Sequence, residues 1–232
     1  MDIHLAINSN PNMVLSLLRE TPSIYACKAS TSNPADGRGA MHTIDTWGDP
    51  NPKNVKGTSI AIAYESDINK VTPEMFAVIS VNYTSPWFQQ TDYRIPGDLP
   101  SCPSGGCLCM WSWVHSVEGG SEQIYQLAYR CKVTGATGTR AIPPPQIAKK
   151  CHFPEDTSNC TVGAKQPHYW LQKERNNNHQ DYYDPPFYNG DYGFSDGAQT
   201  DFFASLPPYR AIYYLEERGT GYHLLDSYVR CL

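Results

Sequence analysis

Leu99-Pro-Ser-Cys-Pro-Ser-Gly-Gly-Cys-Leu-Cys-Met-Trp-Ser-Trp-Val-His-Ser-Val-Glu-Gly-Gly-Ser-Glu-Gln-Ile-Tyr125 is the stretch on which the fold turns. Its middle, Leu108 to Val114, is short, aromatic and bounded by glycine-rich turns, which reads as a strand. Trp111 and Trp113 are two residues apart and so share one face of it. The same segment gathers Cys102, Cys107 and Cys109, a histidine at the strand's end, His115, and the pair Gln123 and Tyr125.

Strand candidates continue on both sides. Ser59-Ile-Ala-Ile-Ala-Tyr64 and Phe76-Ala-Val-Ile-Ser-Val-Asn-Tyr83 precede it, and Gln123 to Val133 follows it. Turn signals between them recur at the spacing of a β-sandwich, and no segment carries a capped helical period of any length. Met13 to Leu18 could make a brief helical turn; Ser30 to Lys56, which contains His42, reads as loop. From Pro143 to Asp201 the pattern is irregular, with Pro143-Pro-Pro145, Asn176-Asn-Asn178 and Pro185-Pro186. So long a stretch is compatible with a compact domain only if it wraps the sandwich and is stapled or functional. Cys151 and Cys160 are placed to close it. The expectation is an all-β, immunoglobulin-like or fibronectin-like β-sandwich with long disulfide-stapled loops. One domain spans residues 1–205, and 206–232 form a tail with no assigned role.

Composition narrows the function classes. Eight cysteines, 19 prolines, 17 glycines and 16 tyrosines describe a loop-rich chain of extracellular type. The sequons Asn82-Tyr-Thr84 and Asn159-Cys-Thr161 agree, making Asn82 and Asn159 glycosylation candidates. Yet Met1 to Ile7 has no basic start, apolar core or cleavage site, so it is not a signal peptide. No apolar run approaches the ~20 residues of a membrane span. A net charge of −5, with no basic cluster beyond Lys149-Lys150, argues against nucleic acid. A monomer is expected.

The cysteines admit two readings. Cys102, Cys107 and Cys109 with His115 could form a zinc cluster, but they lack paired C-x2-C units. Disulfides drawn from Cys102, Cys107, Cys109, Cys131, Cys151 and Cys160 suit the extracellular context better, and the pairing stays open because eight cysteines admit about a hundred arrangements. Hydrolytic signatures are missing: there is no Gly-x-Ser-x-Gly elbow, Walker loop or His-Glu-x-x-His. Glu216-Glu217 are sequence neighbours that point to different faces, a poor acid/base pair for a glycosidic bond.

The opening segment, Tyr129-Arg-Cys-Lys-Val-Thr-Gly-Ala-Thr137, Gly163-Ala-Lys-Gln-Pro-His-Tyr-Trp170 and Asp196-Gly-Ala-Gln-Thr-Asp201 together resemble the fungal lytic polysaccharide monooxygenases that act on xylan, the fourteenth auxiliary-activity family. The likeness runs from about His42 to Phe203. It implies a secreted copper enzyme, built on an immunoglobulin-like sandwich, that cleaves xylan or xylan-coated cellulose oxidatively with an external electron donor. By that resemblance His42, in Gly39-Ala-Met-His-Thr43, is a copper ligand and Tyr125 the axial group. Gln123 and His115 resemble the outer-shell pair that orients the oxidant. The family's remaining ligand is an N-terminal histidine, which binds through amine and ring. Here the chain opens with Met1, and Asp2 to Ile7 resembles an interior strand. The expectation is therefore that the first strands are missing and that this chain alone holds copper weakly. The rival class is a non-catalytic, secreted cell-wall or carbohydrate-binding β-sandwich, from which a mature N-terminal histidine would distinguish the oxygenase.

Overall fold

The computed structural model describes residues 2–6, 52–87, 91–115, 124–172 and 184–204. The expected helical turn at Met13 to Leu18 and the loop around His42 lie outside them. Strands β1 (Asp2–Ala6), β2 (Thr58–Ala63), β3 (Ala77–Asn82), β4 (Cys107–Val114), β5 (Ile124–Thr134) and β6 (Gly197–Ala198) form one sheet in the order β1-β5-β4-β2-β3-β6. A single helical turn, α1 (Pro52–Val55), leads into β2. The chain is all-β, as expected, and the described residues supply one continuous sheet of the sandwich. Four strands fall where the sequence places them, with ends shifted by a residue or so. β6 has only two residues and carries no sequence signal. β1 pairs in parallel with β5, Asp2 opposite Arg130 through Ala6 opposite Thr134, at the end of the sheet order; the other pairings are antiparallel.

β2, β3 and β4 are buried along almost their whole length. Both faces of these three strands are therefore covered, which explains why they read as nearly unbroken apolar runs, whereas β5 is largely exposed along its first half. The faces differ in bulk. One carries Ile60, Ile62, Ile79, Trp111 and Trp113, packed against Tyr93, Ile95, Leu99 and Phe202. The other carries Ala61, Ala63, Leu108 and Met110, and the bulk comes from Tyr169, Trp170, Tyr188, Tyr192 and Phe194 of the irregular segment. Ala61 and Ala63 leave room on the sheet for the large residues of this segment, the strap.

Backbone hydrogen bonds hold the strap where periodicity does not. Val78 donates to the Lys165 carbonyl (2.8 Å), Tyr188 to Lys56 (3.1 Å), Cys151 to Asp191 (2.7 Å) and Gln199 to Ile79 (3.0 Å). At the entrance to β2 the strap passes so close that a Cβ on Gly57, which has φ +73°, would lie 2.4 Å from the Tyr188 carbonyl oxygen. Lys165 is fully buried, and its Nζ donates to Asp201 Oδ2 (2.7 Å) and the Gly163 carbonyl (3.0 Å). Asp201 also accepts the Gly163 amide (2.9 Å), so two ends of the strap meet on one carboxylate.

All six described cysteines are bridged: Cys102–Cys107, Cys109–Cys131 and Cys151–Cys160. This overturns the zinc-cluster reading, since no thiolate is left among them to bind the ion. Among the described residues no group of three or more His, Cys, Asp or Glu is placed to hold a metal.

His168 sits under the strap, between the rings of Tyr188 (4.7 Å), Tyr192 (4.8 Å) and Phe194 (5.5 Å). Its amide donates to the Tyr188 hydroxyl (2.9 Å) and its Nε2 pairs with the Phe187 carbonyl (2.8 Å). Burial pushes its pKa down to about 4, against the opposing pull of that carbonyl. The folded state therefore prefers the neutral ring.

Two expected outcomes follow from this packing. Replacing Cys151 and Cys160 together by serine frees a loop with ends nine residues apart and should lower stability by about 3 kcal/mol in denaturant unfolding; thiol titration of the unreduced, denatured wild type should find none of the six described cysteines reactive. For His168 the unfolded chain takes up a proton near the ordinary value of 6.5 and the folded chain only near 4. Its contribution is then complete above pH 6.5 and is lost as the pH falls toward 4. Melting curves of His168→Gln should show a shallower loss across that window than the wild type; parallel acid limbs would contradict the assignment.

Candidate functional site

The β4–β5 hairpin brings the candidate residues together. Antiparallel pairing sets Trp113 opposite Tyr125 and Val114 opposite Ile124, while two-residue alternation puts Trp113 and His115 on one face. The result is a compact aromatic cluster. Trp113 and Tyr125 stack with centroids 5.4 Å apart and 24° between planes. The His115 ring lies 5.7 Å from Trp113 and 6.0 Å from Tyr125.

Each member is fixed by something the sequence supplies. The Trp113 indole donates to the Val55 carbonyl (2.7 Å), which ties the cluster to α1. Its neighbour on the same face, Trp111, donates to the Tyr93 hydroxyl (3.0 Å). That hydroxyl also meets the Thr58 and Ser85 hydroxyls, the latter at 3.2 Å. The indoles thus have partners, and Trp113 becomes a rigid floor for Tyr125. His115 is fully buried immediately after β4, whereas Tyr125 is half-buried at the start of β5. Burial raises the Tyr125 phenol above its ordinary range, so it stays neutral across physiological pH. A neutral phenol is a weak oxygen donor.

The structure therefore joins Tyr125 and His115, two of the residues singled out from the sequence. His42 and Gln123 lie outside the described residues. Sequence reasoning named Trp113 only as part of an aromatic strand and missed its part as the surface on which Tyr125 rests; the two-residue spacing to His115 was the available signal. It also gave His168 no role, because the pattern around it is irregular and its burial depends on the strap. Asn159 is exposed. Asn82 is half-buried, and its Oδ1 accepts from the Thr84 amide and hydroxyl and the Ser85 amide. Among the described residues no helix is long and apolar enough to cross a membrane.

Residues 27–213 match the family model for lytic polysaccharide monooxygenase AA14. The chain is 47% identical over 163 residues to AA14 family lytic polysaccharide monooxygenase B of Pycnoporus cinnabarinus, covering 67% of this chain and 44% of that protein. It is 49% identical over 162 residues to the protein of the same name from Trametes coccinea, covering 67% and 39%. With AA14 family lytic polysaccharide monooxygenase A of Trametes coccinea it shares 46% identity over 175 residues, covering 72% and 40%. The matched region thus spans less than half the length of each of these relatives. A match across most of this chain, together with relatives at this level of identity, shows that the chain belongs to the AA14 family of lytic polysaccharide monooxygenases.

Proposed function

We propose that this chain serves, in its full-length form, copper-dependent oxidative cleavage of xylan or xylan-coated cellulose, outside the cell and as a monomer, with electrons from an external donor. The observation that carries this reading is the stacked cluster of Trp113, His115 and Tyr125 at one end of the sheet, in a chain of this family. Tyr125 would offer copper a neutral phenol, a weak oxygen donor, and the buried imidazole of His115 beside it would stand behind the bound ion. His42 and Tyr125 would be ligands, with His115 and Gln123 behind them. When bound, copper supplies the one-electron chemistry needed to oxidise a C–H bond at a glycosidic carbon.

The protein's part is positional. Trp113 locks the Tyr125 ring, so the phenol keeps its orientation without an ordering cost on each turnover. Because Tyr125 remains protonated, its hydroxyl can donate or accept a hydrogen bond without adding negative charge. His115, excluded from water, holds its orientation by packing against both rings. Asn82 and Asn159 are proposed glycan acceptors, the exposed Asn159 the more accessible of the two. The domain is proposed to span residues 1–205, with 206–232 as an appended tail; nucleic acid and membrane are not partners in this reading.

The deciding experiment incubates the mature secreted protein with copper and ascorbate on xylan-coated cellulose and examines soluble products by mass spectrometry. Oxidised oligosaccharides are expected. His42→Ala should abolish both tight copper binding and product. His115→Asn, which keeps a polar side chain in the buried site, should lower activity by about ten- to a hundredfold. Tyr125→Phe should leave copper affinity within a few-fold but change the copper electron-resonance spectrum. Wild-type protein that releases no oxidised sugar and takes up no copper would instead support the non-catalytic carbohydrate-binding alternative.

A further inference from the structure

A second surface feature lies beside β6, at the end of the sheet order away from β5 and Tyr125. Beside the end of β3, the Cys151–Cys160 loop and the approach to β6 enclose an open cleft of about 450 Å³. Phe153 forms one wall. It is 49% exposed, and its ring lies against the backbone of Gly190, where a Cβ would come within 2.5 Å of a ring carbon. The ring is thereby supported from behind while about half of the residue remains open. Tyr83 and Asp196 line the cleft as well: the Tyr83 hydroxyl donates to the Phe194 carbonyl (2.6 Å) and its amide to Asp196 Oδ1 (3.0 Å). Thr157 and Asp201 complete the part that matters here.

This is an unusual mixture for an apolar pocket. It combines a rigid aromatic platform, two carboxylates and a hydroxyl, and no lysine or arginine lines it. An anionic ligand would be repelled. A wholly apolar one would strip water from the exposed Asp196 without replacing its hydrogen bonds. A cationic ligand would find a single carboxylate, Asp196, because Asp201 is already paired with Lys165 at 2.7 Å, and it would leave the aromatic wall and the hydroxyls unused. A neutral pyranose suits all of these groups. Its weakly positive axial C–H groups lie against the negative face of an aromatic ring, and its rim hydroxyls donate to carboxylates.

The sheet register connects this cleft to the candidate site. Tyr125 pairs with Trp113, Trp113 with Thr58, and Thr58 with Asn82. Tyr83 follows Asn82 directly, and Asp196 directly precedes Gly197, the first residue of β6, which pairs with Val81. Tyr125 and Asp196 thus end a single row crossing four strand spacings, about 19 Å at ~4.8 Å each. Several sugar residues of one extended chain would bridge that distance.

We propose that the cleft at Phe153 and Asp196 is a second saccharide subsite, which grips a β-linked xylan or cellulose chain away from the point of cleavage. The proposal rests on the polysaccharide reading above, yet gripping needs no copper, so the two can fail separately. The test titrates the metal-free full chain with xylohexaose and cellohexaose, by calorimetry and by nuclear magnetic resonance.

The wild type should bind at least one of them. Phe153→Ala should weaken binding about tenfold and Phe153→Tyr by no more than about twofold. Thr157→Arg, which fills the cleft from an exposed position, should weaken it as Phe153→Ala does, and it decides the matter if the alanine variant fails to fold. Phe153-dependent binding by a protein that makes no oxidised product would uphold the subsite and sink the oxidative reading. Oxidative activity with sugar binding unchanged in Phe153→Ala and Thr157→Arg would overturn the subsite alone, as would a wild type that binds neither oligosaccharide.

Discussion

The structure depends on how the small-residue face of the sheet is covered. Ala61 and Ala63 cannot bury enough area by themselves, and the face is completed by five aromatic residues from a segment that has almost no regular structure. Such a segment can lie against a core only if its amides and carbonyls find partners there. They find them at strand edges and turns, through Val78, Lys56 and Ile79, and through the pair of buried Lys165 with half-buried Asp201. Removing Asp201 would leave the Lys165 charge in the interior without its partner, which costs far more than an exposed ion pair contributes.

The same construction separates two jobs. One face of the sheet, with its tryptophans, orients the residues at the β4–β5 end; the other is a platform for the strap. Because β4 belongs to both, its alternation of Trp111 and Trp113 with Met110, Ser112 and Val114 matches each residue to the layer it meets. Tyr125 is placed by this arrangement rather than by the turn before it. Its ring position follows from pairing with Trp113, and Trp113 is held from beyond the strand by Val55.

How much of this was legible in the sequence depended on where the information is local. β2, β3, β4 and β5 were visible because β-branched and aromatic runs between turn residues carry their own signal. The strap could be read only as irregular: its order is created by long-range contacts such as Cys151 with Asp191 and Lys165 with Asp201, which leave no periodic trace. β6 failed for the same reason, as two residues cannot show a period. At the site, His115 and Tyr125 were legible because they flank one hairpin. The cleft was not, since Tyr83, Phe153 and Asp196 are far apart in the chain and meet only in the folded sheet.

The bridges at Cys102–Cys107 and Cys109–Cys131 have a consequence for the order in which the protein matures. Three of their four cysteines belong to β4 and β5, the two strands that carry Trp113 and Tyr125. Before oxidation the same hairpin would offer several thiols, and thiolates are softer, stronger ligands for cuprous copper than imidazole or phenol. Under the proposed function, a chain meeting copper before these bridges form would offer it competing sulfurs. Oxidation before metal loading would avoid that competition, so an oxidising environment would serve assembly as well as stability.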